Sequence, residues 1–326
     1  MSRKIIPRST GKVIASGRRR LGKAVELLGY EYCVDFARLG QRGRAAAVPK
    51  KDAPMPQFAA SSGQVQFSER AGTVPVFLLH AGAGSGRQWT KVIGLLDADH
   101  RALAPDAWGF GGTAKWAGPK DLSHDDQADL VLALADHLGI DRFHLVGHSY
   151  GGASAARLAI RSPERLKSLM LIEPVIMSLL KDSEDADLFH EYNRVASGFI
   201  EAAAQGTPEI GWQRFIDYRN GAGTWEGLSP ESKARFLATT DTTVDGYKSN
   251  LQNTTTRMEL SRIPVQTLIL CGNKTTRPDR RVTEIVRDSL PHARYALLDG
   301  AEHMSPLSHP HEVAAHINAH VHQAAA

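Results

Sequence analysis

The chain has 326 residues, of which 42% are hydrophobic and 23% charged, so it can form one large α/β domain with an insertion or two smaller domains. No apolar run reaches the roughly 18 residues that a membrane-spanning helix needs, and the two cysteines show neither metal-site spacing nor a disulfide framework. The net charge of +4 is uneven: residues 1–60 carry 13 basic and 4 acidic residues, and the remainder carries 26 and 31.

Residues 1–63 are predicted to form a basic N-terminal extension. Apolar residues between positions 21 and 39 recur at helical spacing, which predicts one amphipathic helix, and residues 43–63 are rich in Ala, Pro, Gly and Ser, as in a linker. The simplest interpretation is a solvated tail or surface helix, while contact with an anionic surface or organelle targeting are the alternatives. Nucleic-acid binding is not expected, because the basic segment matches no recognised nucleic-acid-binding motif.

The cysteine content bears on location. Cys33 and Cys271 lie far apart, and Cys271 closes an apolar run, which indicates a buried thiol. The lack of a disulfide framework favours a reducing compartment, so we expect a cytoplasmic protein. The sequence leaves homo-oligomerisation open.

From residue 64 onward, apolar runs of strand length alternate with helical patterns. Strands are predicted at residues 64–67, 74–80, 101–105, 143–146, 166–172, 265–271 and 294–298. Helices are predicted at residues 89–96, 124–138, 151–160, 280–290 and 311–322. The strands are continuous apolar runs, as expected when helices cover both faces of a sheet, so the pattern predicts a doubly wound, mostly parallel α/β fold.

The alternation stops between residues 175 and 260, a stretch too long for a structureless loop. We therefore predict a helical cap there, inserted into a core formed by residues 64–174 and 261–326. The aromatic residues of the cap look exposed in the sequence: Trp212, Phe215, Tyr218, Trp225 and Tyr247.

Residues 147–151 read Gly-His-Ser-Tyr-Gly and lie between a predicted strand and a predicted helix. A strand that turns sharply into a helix needs glycines for close backbone passage, and the residue at the turn exposes its side chain. The N-terminus of the helix adds positive potential for a developing oxyanion. We predict Ser149 as a nucleophile, and the alternative is a packing turn.

Acyl transfer also needs two backbone N–H groups directed at the developing oxyanion. We expect one from Tyr150, the residue after the nucleophile, and the other from Gly82 in the small-residue run at 81–86. The glycine spacing of that run would also suit a phosphate-binding loop, but it lacks the Lys-Ser/Thr ending of such loops.

His303 follows the last predicted strand, where the active sites of such sheets collect. A serine hydroxyl needs a nearby imidazole to accept its proton, so His303 is the predicted base. His148 adjoins the nucleophile, and we expect it to shape a substrate pocket together with Trp212 and Trp225. A small-molecule substrate is expected, and neither a metal nor a cofactor.

From about residue 64 to its end, the chain resembles the α/β-hydrolase superfamily. The resemblance rests on four segments in the family's order: residues 80–84, 106–112, 147–151 and 301–306. It implies an eight-stranded, mostly parallel sheet with a cap after the sixth strand, and the chain order serine, acid, histidine. It does not identify a substrate.

The acid that orients the histidine departs from the family's pattern. The family usually has an Asp a few residues after the seventh strand, where this sequence has Thr275. The two substitutes are Glu173, at the end of the sixth strand, and Asp279. We favour Glu173 because a strand end holds a side chain more rigidly, with Asp279 as the runner-up. Alternatively, Glu173 is a supporting carboxylate that does not contact the histidine directly, and Asp279 caps the N-terminus of the following helix.

Together these residues predict a serine hydrolase that acts through an acyl-enzyme on an ester, lactone or thioester bond of a small, largely apolar substrate. A carboxylic ester is the default, and a C–C bond hydrolase or an acyltransferase would use the same residues. The alternative from another class is a non-catalytic ligand-binding protein of the same fold, since position 275 lacks the usual acid.

Overall fold

The structure, a computed structural model of the chain, describes residues 55–181 and 184–325. The predicted amphipathic helix at residues 21–39, most of the predicted linker and Cys33 lie outside the described residues. Within the described ranges, no helix has both the length and the apolar character that crossing a membrane requires.

An eight-stranded sheet forms the centre of the molecule, in the order β1-β2-β4-β3-β5-β6-β7-β8. Its strands are β1 Gln57–Ala60, β2 Gly63–Arg70, β3 Val74–Leu79, β4 His100–Pro105, β5 Phe143–His148, β6 Leu166–Ile172, β7 Thr267–Gly272 and β8 Arg294–Leu298. Strand β2 pairs antiparallel with both β1 and β4, and all other pairs are parallel. The predicted doubly wound, mostly parallel sheet is confirmed.

Some helices cover both faces of this sheet, and others form the segment between β6 and β7. The helices are α1 Thr90–Leu95, α2 His124–His137, α3 Tyr150–Arg161, α4 Ala186–Ala204, α5 Pro208–Asn220, α6 Pro230–Ala238, α7 Thr240–Gln252, α8 Arg257–Ser261, α9 Arg277–Ser289, α10 Ser305–Ser308 and α11 Pro310–Ala325. Two apolar clusters result, one on each face of the sheet. Burial on both faces explains why β5 and β7 consist entirely of buried residues.

The cap lies between β6 and β7, as the resemblance implied. Helices α4 to α7 form most of it, and α4 packs against both α5 and α7. The domain limits at residues 174 and 261 remain a prediction. At the other end of the core, the sheet begins earlier than predicted, because β1 lies inside the segment that the sequence indicated as linker and pairs with β2 in a tight hairpin.

The expectation that the cap aromatics are exposed is wrong for three of them. Trp212 and Trp225 are 0% and 1% exposed, and Tyr247 is also buried. Trp212 packs edge-on against Phe199, and its indole N–H donates to Oγ1 of Thr240 at 3.0 Å. These rings form a hydrophobic core within the cap. Because residues from several helices meet in this core, the pattern along one segment of the sequence does not show that they are buried.

Candidate active site

Ser149 lies at the sharp turn between β5 and α3. Its backbone has φ 55° and ψ −116°, a conformation that costs a non-glycine residue about 1–3 kcal/mol. A Cβ atom on Gly147 would lie 2.5 Å from the carbonyl oxygen of Gly151, and one on Gly151 would lie 2.6 Å from that of His80. The two glycines therefore permit the close packing that holds the serine in this strained position.

His303, in the loop after β8, lies next to this serine. Its Nε2 is 2.9 Å from Oγ of Ser149, and its Nδ1 is 2.7 Å from Oε2 of Glu173. All three side chains are buried. Because the carboxylate accepts the Nδ1–H, the lone pair of Nε2 faces the serine hydroxyl, which is the tautomer that can accept its proton. The structure thus brings together three residues that lie far apart in the chain.

Glu173 follows the last residue of β6 and is held on both carboxylate oxygens. Its Oε1 accepts from the backbone N–H of Gly272 at 2.7 Å, and its Oε2 accepts from the hydroxyl of Thr275 at 2.6 Å. Its backbone φ is 42°, an uncommon value for a residue other than glycine. The strained backbone and the two fixed oxygens give the carboxylate a defined orientation toward His303.

Asp279, the runner-up acid, lies farther away. Its Oδ2 is 3.8 Å from Nδ1 of His303, and it accepts from the hydroxyl of Thr276 and from the guanidinium of Arg219 in the cap. Burial alone would raise the pKa of Asp279, but Arg219 and His303 hold it below its usual value. The structure therefore contains a second, ionised carboxylate near the imidazole, paired with a cap arginine.

His148 holds the backbone of the loop that carries His303. Its Nε2 donates to the backbone carbonyl of His303 at 2.8 Å, so its Nδ1 is the acceptor for the side-chain amide of Gln88 at 3.1 Å. Burial, followed by the neighbouring His303, lowers the pKa of His148 well below its usual value. A neutral His148 thus fixes the backbone of His303.

The predicted oxyanion donors, Gly82 and Tyr150, lie beside each other. Both residues border the cavity that also contains Ser149. The N–H of Tyr150 is the first of α3 and has no acceptor within the helix, and among the described residues no acceptor is found for the N–H of Gly82. Two backbone donors are thus available near the serine.

A cavity of about 160 Å³ separates these residues from the cap. Each of the helices α4 to α7 contributes one aromatic residue to its cap wall, namely Tyr192, Phe215, Phe236 and Tyr247, and Arg219 also lines it. Most of the surface that lines the cavity is apolar.

The prediction that Trp212, Trp225 and His148 line this cavity is wrong, since none of the three borders it. The two indole rings are directed into the cap core, and the His148 ring lies beneath the histidine loop. In each case a neighbouring ring or the loop itself separates the side chain from the cavity.

Three residues around the site have roles that no prediction from the sequence covers. In the sequence Thr275 only marks the departure from the family's pattern, whereas in the structure its hydroxyl donates to the substitute acid, Glu173. Gln88 contacts His148, and Arg219 contacts Asp279. In each pair the two residues are 60 positions apart in the chain. Thr275 could have been identified, because a hydroxyl beside a relocated carboxylate is a natural donor, but no sequence pattern connects the other two pairs.

A family model described as the alpha/beta hydrolase fold matches residues 74–310. A 2-hydroxymuconate semialdehyde hydrolase from Pseudomonas sp. (strain CF600) is 26% identical, over 72% of this chain and 82% of that protein. A thermophilic esterase from Thermogutta terrifontis superposes with a TM-score of 0.66 at 21% identity, over 83% of this chain and 99% of that one. At that identity the structural likeness concerns the fold alone.

A shorter match involves a different class of enzyme. The dihydrolipoyllysine-residue acetyltransferase component of the acetoin cleaving system from Pseudomonas putida is 38% identical over 36% of this chain. The match spans 32% of that protein, so about a third of its length is similar to this chain.

Proposed function

This chain belongs to the alpha/beta hydrolase fold family, and we propose that it is a serine hydrolase. The bond that it cleaves is a carboxylic ester or a related acyl bond. The substrate is small and largely apolar, in keeping with the aromatic wall of the cavity. A cytoplasmic location stays part of this proposal and rests on cysteine usage alone.

In the first half of the reaction, Oγ of Ser149 attacks the carbonyl carbon while Nε2 of His303 accepts the hydroxyl proton. Negative charge develops on the carbonyl oxygen, and the N–H groups of Gly82 and Tyr150 donate to it. The C–O bond to the leaving group then breaks, and His303 returns its proton to the leaving alcohol. The product of this half-reaction is an ester of Ser149.

In the second half, water takes the place of the alcohol. His303 accepts a proton from the water as its oxygen attacks the acyl carbon, and the same two N–H groups stabilise the oxyanion. Collapse releases the carboxylic acid and returns the proton to Ser149. Throughout, Glu173 accepts from Nδ1 of His303, which stabilises the imidazolium form and keeps the ring oriented.

One observation carries the proposal. Ser149, His303 and Glu173 form a continuous chain of contacts, 2.9 Å and 2.7 Å long, whose serine end opens on the cavity under the cap. A purely structural role would not require a strained serine beside a cavity, since strain of this kind is expected where function maintains it.

Cleavage of a C–C bond is the second candidate. It is favoured by the similarity to a 2-hydroxymuconate semialdehyde hydrolase, which extends over 82% of that protein. The two candidates differ in the leaving atom, since the ester reaction expels an oxygen and the C–C reaction expels a carbon that must be protonated. An acyltransferase would pass the acyl group to an acceptor other than water.

The experiment compares purified full-length protein with Ser149→Ala on short p-nitrophenyl esters and on a 2-hydroxy-6-oxo-dienoate. We expect ester hydrolysis by the unchanged protein and a loss of about 10³-fold or more in Ser149→Ala. Ser261→Ala, at an exposed serine remote from the elbow, is the matched control and should keep full activity.

Turnover of the dienoate alone would move the assignment to C–C hydrolysis. Turnover of neither substrate, together with tight retention of a small apolar ligand, would favour the non-catalytic alternative. Equal ester hydrolysis by Ser149→Ala would reject the proposal.

A further inference from the structure

At the beginning of β4, a histidine is buried without a hydrogen-bond partner. His100 is 0% exposed, and within the described part of the chain neither of its ring nitrogens has a donor or acceptor. An unsatisfied buried polar group typically costs about 1–3 kcal/mol. A ligand bound to the ring would satisfy one of these two nitrogens.

Two further metal-ligand side chains lie against this ring. Asp97 comes from the turn before β4, and His322 comes from the last turns of α11. One carboxylate or imidazole atom from each of Asp97, His100 and His322 lies within 4.8 Å of the others. Nε2 of His322 is 2.7 Å from Oδ2 of Asp97, and the ring centroids of His100 and His322 are 5.6 Å apart.

We propose that His100, His322 and Asp97 form a binding site for one divalent transition-metal ion of the zinc type. Two imidazole nitrogens, one carboxylate oxygen and a water molecule make up a tetrahedral donor set that zinc accepts. With zinc–ligand bonds of about 2.0–2.2 Å, neighbouring donors lie about 3.3–3.6 Å apart. The present separations require only a small rearrangement, in which the direct contact between His322 and Asp97 opens.

The side chains that must move are able to do so. The side chains of His322 and Asp97 are 58% and 43% exposed, whereas His100 is fixed by its burial. Asn318, one turn before His322, donates to Oδ1 of Asp97 at 3.1 Å and leaves Oδ2 directed at the histidine. Such outer contacts orient the carboxylate of a metal site.

The charges around the site also suit a cation. Asp99 adds a second carboxylate, with its Oδ1 3.8 Å from Nε2 of His100. Arg70 is the opposing cation, and its guanidinium donates to backbone carbonyls that include those of Asp97 and His100.

The position of the site separates it from the reaction at Ser149. His100 lies at the amino end of its strand, whereas Ser149 and Glu173 follow the carboxyl ends of parallel strands on the opposite edge. A bound ion would connect α11 to β4 and so stabilise the fold. Sequence spacing did not indicate a metal site, because the ligands come from segments more than 200 residues apart.

The test uses full-length protein without a histidine tag, treated with a chelator and titrated with Zn²⁺ alone by calorimetry. We expect one equivalent to bind and to raise the melting temperature. Loss of an outer contact typically lowers metal affinity by about 10–100-fold. In His322→Ala a direct ligand is lost, so the affinity for Zn²⁺ should fall further than that. Asp97→Asn should weaken binding as well.

The matched control is His311→Ala, at an exposed histidine on the same helix. It should bind Zn²⁺ as the unchanged protein does. No stoichiometric binding by the unchanged protein would overturn the proposal. So would equal binding by His322→Ala, because the ion would then be held by other histidines.

Discussion

The hydroxyl of Thr275 donates to Oε2 of Glu173 at 2.6 Å, the same oxygen that lies 2.7 Å from Nδ1 of His303. Position 275 is where the family usually has its acid. In this chain the carboxylate comes from β6, and the residue that replaces the usual acid is the donor that holds it. The departure from the pattern is therefore compensated within the site.

The two carboxylates near His303 give the first prediction. Glu173→Gln should lower kcat by about 10³–10⁴-fold, because an amide neither stabilises the imidazolium nor fixes the required tautomer. Asp279→Asn should lower it far less, since Asp279 lies 3.8 Å away and is already paired with Arg219. Steady-state ester hydrolysis by both variants measures the difference. An unchanged kcat in Glu173→Gln with a large loss in Asp279→Asn would reverse the assignment.

Thr275 gives the second prediction. Thr275→Val keeps the shape of the side chain and removes one hydrogen bond to Glu173, and a typical bond of this kind contributes about 0.5–1.5 kcal/mol. We expect kcat to fall by a few-fold to about tenfold, with KM little changed. Thr275→Ser keeps the hydroxyl and is the control. Equal losses in both variants would show that packing, and not the hydrogen bond, is what matters at this position.

His148 gives the third prediction. His148→Ala removes the donor to the carbonyl of His303, so the base should be less well positioned and kcat should fall about tenfold. KM should change little, because His148 does not border the cavity. His148→Gln retains a donor and should recover part of the loss. A change confined to KM would contradict a positioning role.

The fourth prediction concerns stability against pH. Burial lowers the pKa of His124 and of His144 to about 4, from 6.5 for an exposed imidazole. Between these values the unfolded chain binds more protons than the folded one, so stability is lost as the pH falls through this window. Each group contributes a slope of up to about 1.4 kcal/mol per pH unit. Urea unfolding from pH 7 to pH 5 measures it, and a flat profile would be inconsistent with neutral buried rings.

Much of the fold follows from local patterns in the sequence. The strand predicted at 166–172 has the observed bounds, because its mainly apolar residues are buried between helices on both faces of the sheet. The strand predicted at 294–298 also has the observed bounds, although it is partly exposed at the edge of the sheet. The elbow at Ser149 is recognisable because its two glycines flank the serine at fixed spacing between a predicted strand and a predicted helix. Local chemistry of this kind is visible in one sequence.

Long-range contacts are less visible. The burial of Trp212 depends on α4, α6 and α7, and the pairing of Arg219 with Asp279 joins the cap to the core. Neither has a local signature, which is why Trp212 and Trp225 are predicted in the pocket wall but do not line the cavity. The choice between Glu173 and Asp279 likewise depended on where a loop brings His303, which spacing alone does not define.

The central claim is that His303, oriented by Glu173, activates Ser149 as a nucleophile. The most direct measurement is covalent labelling with a fluorophosphonate probe, followed by mass spectrometry of the labelled peptide. We predict one adduct, on Ser149, formed rapidly by the unchanged protein and far more slowly by His303→Ala and Glu173→Gln. No adduct on Ser149, or an equal labelling rate in His303→Ala, would contradict the account.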